Sequence, residues 1–112
     1  MAVFVVLGAA CGEAPPVATA PLPDLADLGS AEHFPRYCPT DEPCLDRAVV
    51  AHTTIDSVAS AFEALGYAPR LEADDHRSLC LPDREDRCAH ISRHDNGVLL
   101  YVNVAEGQSL EP

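Results

Sequence analysis

Five histidines and five cysteines are the side chains of this 112-residue chain with the widest chemistry. They are His33, His52, His76, His90 and His94, and Cys11, Cys38, Cys44, Cys80 and Cys88. An imidazole can ligate a metal or move a proton near neutral pH. A thiolate can ligate, attack or oxidise. His90 and His94 have the three-residue gap that puts two zinc ligands on one face of a helix. Their surroundings read as a strand, where residues four apart lie about 13 Å apart along the chain. Two imidazoles so placed cannot hold one zinc at roughly 2.0–2.1 Å in a tetrahedral arrangement. Cys80, Cys88 and His90 with one further ligand would make another zinc site, but in an oxidising compartment the same thiols form a disulfide.

Most catalytic signatures are missing. There is no glycine-rich phosphate loop and no lysine to serve one. No G-x-S-x-G elbow occurs. No nucleophile–base set is visible, so the chain reads as a non-enzymatic protein that needs no cofactor. The seven basic residues are all arginine, against eighteen acids, for a net charge of −11. That charge repels phosphate backbones and argues against nucleic acid as a partner. It also supplies no basic cluster for an anionic membrane surface.

The elements that position the histidines follow from spacing. Asn96-Gly97 predicts a two-residue hairpin turn between Arg87–Asp95 and Val98–Val104. That turn sets Asp95 against Val98, Ile91 against Val102 and Ala89 against Val104. One face of the hairpin then carries Ala89, Ile91, Leu100, Val102 and Val104. The other carries Cys88, His90, Ser92, His94, Leu99, Tyr101 and Asn103. A further strand is expected near Arg77–Leu81, joined to the hairpin by Pro82–Asp86. With Cys80 opposite Cys88, Leu79 and Leu81 share the face of Ile91. His76 then faces Ser92, diagonal to His90 and His94, and Asp74 stands opposite His94. Asp74, His76, His90 and His94 are therefore the candidate metal ligands; the plain alternative is a solvated sheet face with ordinary histidines.

One helix completes the core. Ile55, Val58, Ala59, Phe62 and Leu65 recur at helical spacing. Thr53 is the expected N-cap, with Asp56 three residues on. Gly66 suits the C′ position, and Pro69 prevents continuation. Arg47–His52 reads as a strand, and Arg70–Ala73 either begins the next strand or forms its own. The fold class is α+β, with one amphipathic helix packed on a small, mainly antiparallel sheet and stapled by disulfides.

The N-terminus has its own pattern. Val3–Leu7 is apolar and is followed by Gly8, Ala9, Ala10 and Cys11. The run is too short to span a bilayer, which takes roughly 20 apolar residues. Leu7-Gly8-Ala9-Ala10-Cys11 resembles the lipobox of bacterial lipoproteins, with Leu7 one place further from the cysteine than is usual there. The resemblance implies that Cys11 is lipidated and that the chain is cut just before it. No arginine or lysine lies near Met1, which leaves open a true start further upstream. Seven of the ten prolines fall between Pro15 and Pro43, and Gly12–Gly29 has no aromatic residue. The chain thus divides into a signal-like segment over 1–10, a Pro/Ala-rich tether over 11–34 and an α+β domain over 35–112.

With Cys11 lipidated, four cysteines remain. The local pairs Cys38–Cys44 and Cys80–Cys88 are favoured over a crossed set that ties the N-terminal extension to the sheet. The expected setting is the bacterial cell envelope, after export, with a lipid on Cys11 holding the chain at a membrane; ordinary secretion is the alternative. Its expected role is to bind an envelope protein or to serve structurally. A metal-binding module using the histidine patch is the second reading. A small hydrolase working through paired histidines is the third.

Overall fold

A computed structural model describes residues 21–40, 43–104 and 108–111. A single 3₁₀ turn, Leu25–Asp27, leads into β1 (Ser30–Tyr37) and β2 (Cys44–Ala51). Helix α1 (Ile55–Glu63) follows, then β3 (Ala68–Ala73), β4 (His76–Leu81), β5 (Arg84–His94) and β6 (Gly97–Val104). The strands form one six-stranded sheet in the order β1-β2-β6-β5-β4-β3, and every pairing is antiparallel. The helix carries the chain from β2 to the far edge, and a meander brings it back to pair β6 with β2.

Alternation decides which face is buried. Along β2, Asp46, Ala48 and Val50 turn inward; along β6, Val98, Leu100, Val102 and Val104 do. Leu79, Ala89 and Ile91 join them from β4 and β5. Ile55, Val58, Ala59 and Phe62 of α1 are buried in the same cluster, and α1 lies over β4 and β5. Phe62 meets Tyr67 edge to face at 5.0 Å. Each fully buried aliphatic or aromatic side chain of this set contributes about 1.5–3 kcal/mol relative to exposure. Leu25 and Leu110 enter the core from segments outside the sheet.

Several sequence expectations are corrected. The helix is capped by Thr54 and not Thr53; Thr54 Oγ1 accepts the Ser57 amide at 3.1 Å. Gly66 takes the positive φ, +102°, that follows a helix end. The loop between β4 and β5 is only Pro82-Asp83, because β5 already begins at Arg84. Arg70–Ala73 belongs to a strand of its own, β3.

The β5–β6 hairpin turns on Asp95-Asn96, not on Asn96-Gly97. His94 pairs with Gly97, Ile91 with Leu100 and Ala89 with Val102. Asp95 takes the positive φ, 50°. Gly97 is instead the place where β2 passes too closely for a side chain. A Cβ there would collide with the Val50 carbonyl oxygen and lie 2.8 Å from Ala51 Cα. The register moved by two residues, an even number, so every side chain kept the face expected for it.

Packed structure also reaches further toward the N-terminus than the expected domain boundary at residue 35. Leu25 is buried and β1 starts at Ser30, both inside the span read as tether. Tyr67 Oη donates to the Pro21 carbonyl at 3.0 Å and holds this segment to the core. β1 leaves little sequence signal because it is an edge strand containing Pro35, with an irregular register between Phe34 and Tyr37. The opposite edge, β3, has the same features: Pro69, and a register shift between Pro69 and Leu71.

Both disulfides are local. Cys38–Cys44 closes the connection between β1 and β2, with Cα atoms 4.1 Å apart. Cys80–Cys88 joins directly opposed residues of β4 and β5, with Cα atoms 4.0 Å apart. The lipidation candidate Cys11 lies outside the described residues. No described helix is long and apolar enough to cross a membrane.

Candidate functional site

The face of the sheet turned away from α1 collects the chemistry. Successive registers align one row across all six strands: Phe34, Arg47, Tyr101, His90, Ser78 and Leu71. A neighbouring row runs Glu32, Val49, Leu99, Ser92, His76 and Ala73. Phe34, Tyr101 and Leu71 are exposed large side chains. The Arg47 guanidinium sits 6.0 Å from the Phe34 ring centre and donates to the Pro35 carbonyl at 2.9 Å. Of the chain's eighteen acids, Glu32 alone falls on these two rows.

Four side chains of these rows form a hydrogen-bonded series. His76 Nδ1 lies 3.1 Å from Ser92 Oγ. His76 Nε2 lies 3.0 Å from Ser78 Oγ, and His90 Nδ1 lies 2.8 Å from that same oxygen. The two rings are 6.3 Å apart and nearly parallel, at 20°. Ser78 has one proton to give, so at least one of the two rings must present an N–H to it. Burial, and then the neighbouring His76, hold the His90 imidazole below the ordinary histidine range.

Only half of the expected patch is assembled. His76 faces Ser92 as the register required, and His90 stands diagonal to it. His94 lies apart at the hairpin end, exposed, with Nε2 3.6 Å from the Asp95 carboxylate. Asp74 sits in the β3–β4 turn and lines a different groove, of about 340 Å³, at the start of α1. Arg77 and Arg93 line that groove too, and Arg77 is paired with Asp56 at 2.8 Å. Asp74 was lost to the patch because β3 ends at Ala73, before the strand register can carry it across. Among the described residues no three His, Cys, Asp or Glu side chains gather as a metal centre. Ser78 was not anticipated, although the register that aligned Cys80 with Cys88 already placed it opposite His90.

A second polar cluster lies on the buried side. Asp46 accepts Arg36 Nε at 2.6 Å, Arg36 Nη2 at 3.0 Å and the Leu110 amide at 2.7 Å. Arg36 also donates to the Gln108 carbonyl. Burial by itself would raise the pKa of the Asp46 carboxyl. The Arg36 hydrogen bonds, the Leu110 amide and the nearby positive charge outweigh it, and the group is held below the usual carboxylate range. The cluster clamps the C-terminal segment to β2, a structural task.

No protein-family model matches this chain, and no similar protein emerges from the curated proteins or the solved structures.

Proposed function

We propose that this chain is a bacterial cell-envelope protein, exported and held at a membrane by a lipid on Cys11, that works without catalysis by binding an envelope protein. The observation that carries the reading is the pair of disulfides, Cys38–Cys44 and Cys80–Cys88. Two local staples in so small a domain suit an oxidising compartment. They also leave Cys11 as the odd cysteine, and the lipobox-like residues before it give that cysteine a use.

The amphipathic helix packed across one face of the sheet leaves the outer face for the partner. Aromatic and arginine side chains are the usual anchors of protein contacts, and Phe34, Arg47 and Tyr101 stand side by side there. An acidic chain with one acid on these two rows avoids repelling a partner there. Against a hydrolase stands the burial of Ser78, which is 8% exposed although two imidazoles flank it. A serine nucleophile has to be reached by its substrate.

The anchor is tested by Cys11→Ser. The native chain should partition into the detergent phase, and the variant should leave it or remain uncut. A native chain found in the aqueous phase with a titratable Cys11 thiol would end the lipoprotein reading. Docking is tested with a photo-crosslinker at Tyr101 and, separately, at Glu63 on the exposed side of α1. The Tyr101 site should give one adduct with a membrane-fraction protein, lost in Phe34→Ala. Equal adducts from Glu63 would remove the outer face from the reading.

A further inference from the structure

We infer that His76 and His90 together form a two-imidazole site for a late first-row divalent cation, copper(II) above all, on the outer face of the sheet. The inference does not rest on the docking reading.

The geometry comes from the strand register. His76 and His90 occupy diagonal positions on neighbouring strands and turn to the same side. Their nitrogens flank a single atom, Ser78 Oγ, at 3.0 and 2.8 Å. A cation bridging the two nitrogens would turn the Ser78 hydroxyl aside or take it as a third, oxygen donor. Metal–nitrogen bonds of roughly 2.0–2.1 Å require each ring nitrogen to close in by about 1 Å. Rotation about the side-chain torsions of the two partly buried rings would supply that movement. The rings are near-parallel and 6.3 Å apart, so binding would turn them until their in-plane lone pairs converge.

The hydrogen-bond partner of His76 also suits a cation. A metal needs a lone pair, so an imidazole must be neutral to bind it. Ser92 Oγ, 3.1 Å from His76 Nδ1, can accept its N–H and leave the lone pair on Nε2, the nitrogen facing Ser78. Metal-bound histidines characteristically hold their second nitrogen this way.

Chemistry selects the ion. The cysteines of this face are closed in a disulfide, so no thiolate is on offer. Two nitrogens completed by water or hydroxyl oxygen form a set that copper(II) accepts in tetragonal geometry, and copper(II) heads the affinity order for such ligands. The net charge of −11 raises the local concentration of any cation. This site differs from the patch expected from sequence: His94 and Asp74 drop out, and Ser78 and Ser92 enter as its supports.

The test is calorimetric titration of the full chain with copper(II) chloride, in a Cys11→Ser background that removes the competing thiol. Electron paramagnetic resonance follows the bound ion. The expected result is a single equivalent of copper, a spectrum showing two imidazole nitrogens, and selective broadening of β4 and β5 amide signals in nuclear magnetic resonance. His76→Gln and His90→Gln should each abolish this binding, while His94→Gln and His52→Gln leave it intact. Ser92→Ala should weaken it about tenfold by freeing the second nitrogen of His76. Metal-free amide spectra establish that each variant is folded. Binding that survives in His76→Gln or His90→Gln, a spectrum with one imidazole nitrogen, or no binding at all would each overturn the site.

Discussion

Asp46 is a charged residue on the buried side of β2, between apolar neighbours, and its tolerance there depends on Arg36 and the Leu110 amide. Removing one partner from such a pair leaves a buried charge uncompensated, at about 3–5 kcal/mol in a dry site. Arg36 is one-third exposed, so solvent screens part of this and Asp46→Asn should cost about 2 kcal/mol in denaturant unfolding. The sign of the pH dependence follows from the direction of the shift. The folded carboxyl titrates below the unfolded one, so its stabilisation is complete above the ordinary carboxylate pKa of about 3.9. It is lost as pH falls from there through the lower folded value. Unfolding curves of the native chain should therefore weaken more steeply between about pH 4 and pH 2 than those of Asp46→Asn. Parallel pH profiles would show that Asp46 is not ionised by this clamp. None of it was legible in the sequence. Asp46 lies just outside the Arg47–His52 segment that reads as a strand, and its partner lies beyond Pro35 in a strand the pattern does not reveal. His76 and Ser92 were legible, because a disulfide across two strands fixes the register of every pair beside it.

At the scale of elements, the two most informative glycines have different duties. Gly66 needs its positive φ and has open space around it. Gly97 lies flat against β2 and needs the missing side chain. Gly97→Ala should cost about 2 kcal/mol, as overpacking against backbone does. Asp95→Gly should be tolerated or mildly stabilising, since Asp95 holds the left-handed conformation that glycine adopts without strain. A turn on Asn96-Gly97 would give the reverse ranking, so chemical denaturation of the two variants decides between them. Asn-Gly is a strong local signal, but it weighs only the turn. The approach of β2 to Gly97 is a tertiary contact, and it drew the turn one residue earlier. The faces survived because alternation has period two. The helix was legible for a similar reason: its apolar spacing and Gly66 agree with what the core requires.

For the whole molecule, stapling matters because the core is small. The two bonds should emerge from non-reduced, protease-digested protein as two linked pairs, Cys38 with Cys44 and Cys80 with Cys88. Replacing Cys80 and Cys88 by alanine should cost about 2–3 kcal/mol, the entropy of closing so short a loop. A crossed linkage in the digest would refute the connectivity. The overall division of the chain was less legible than its pairings. Pro21–Gly29 lacks aromatics and any regular period, so it resembled a spacer. Leu25 is nevertheless buried, and the Tyr67 hydroxyl donates to the Pro21 carbonyl. A single leucine and one hydrogen bond are too sparse a signal to read along a sequence.

The two edges of the sheet carry a consequence of their own. β1 and β3 each hold a proline and an irregular register, at Pro35 and Pro69. Proline gives no amide to an incoming strand, and a bent edge offers no straight ladder to copy. For a chain gathered on a membrane, encounters between copies occur in two dimensions and far more often than in free solution. An ordinary open sheet under such crowding would extend from molecule to molecule. On the membrane anchor proposed above, such edges would disfavour joining copies strand to strand and would keep the outer faces open.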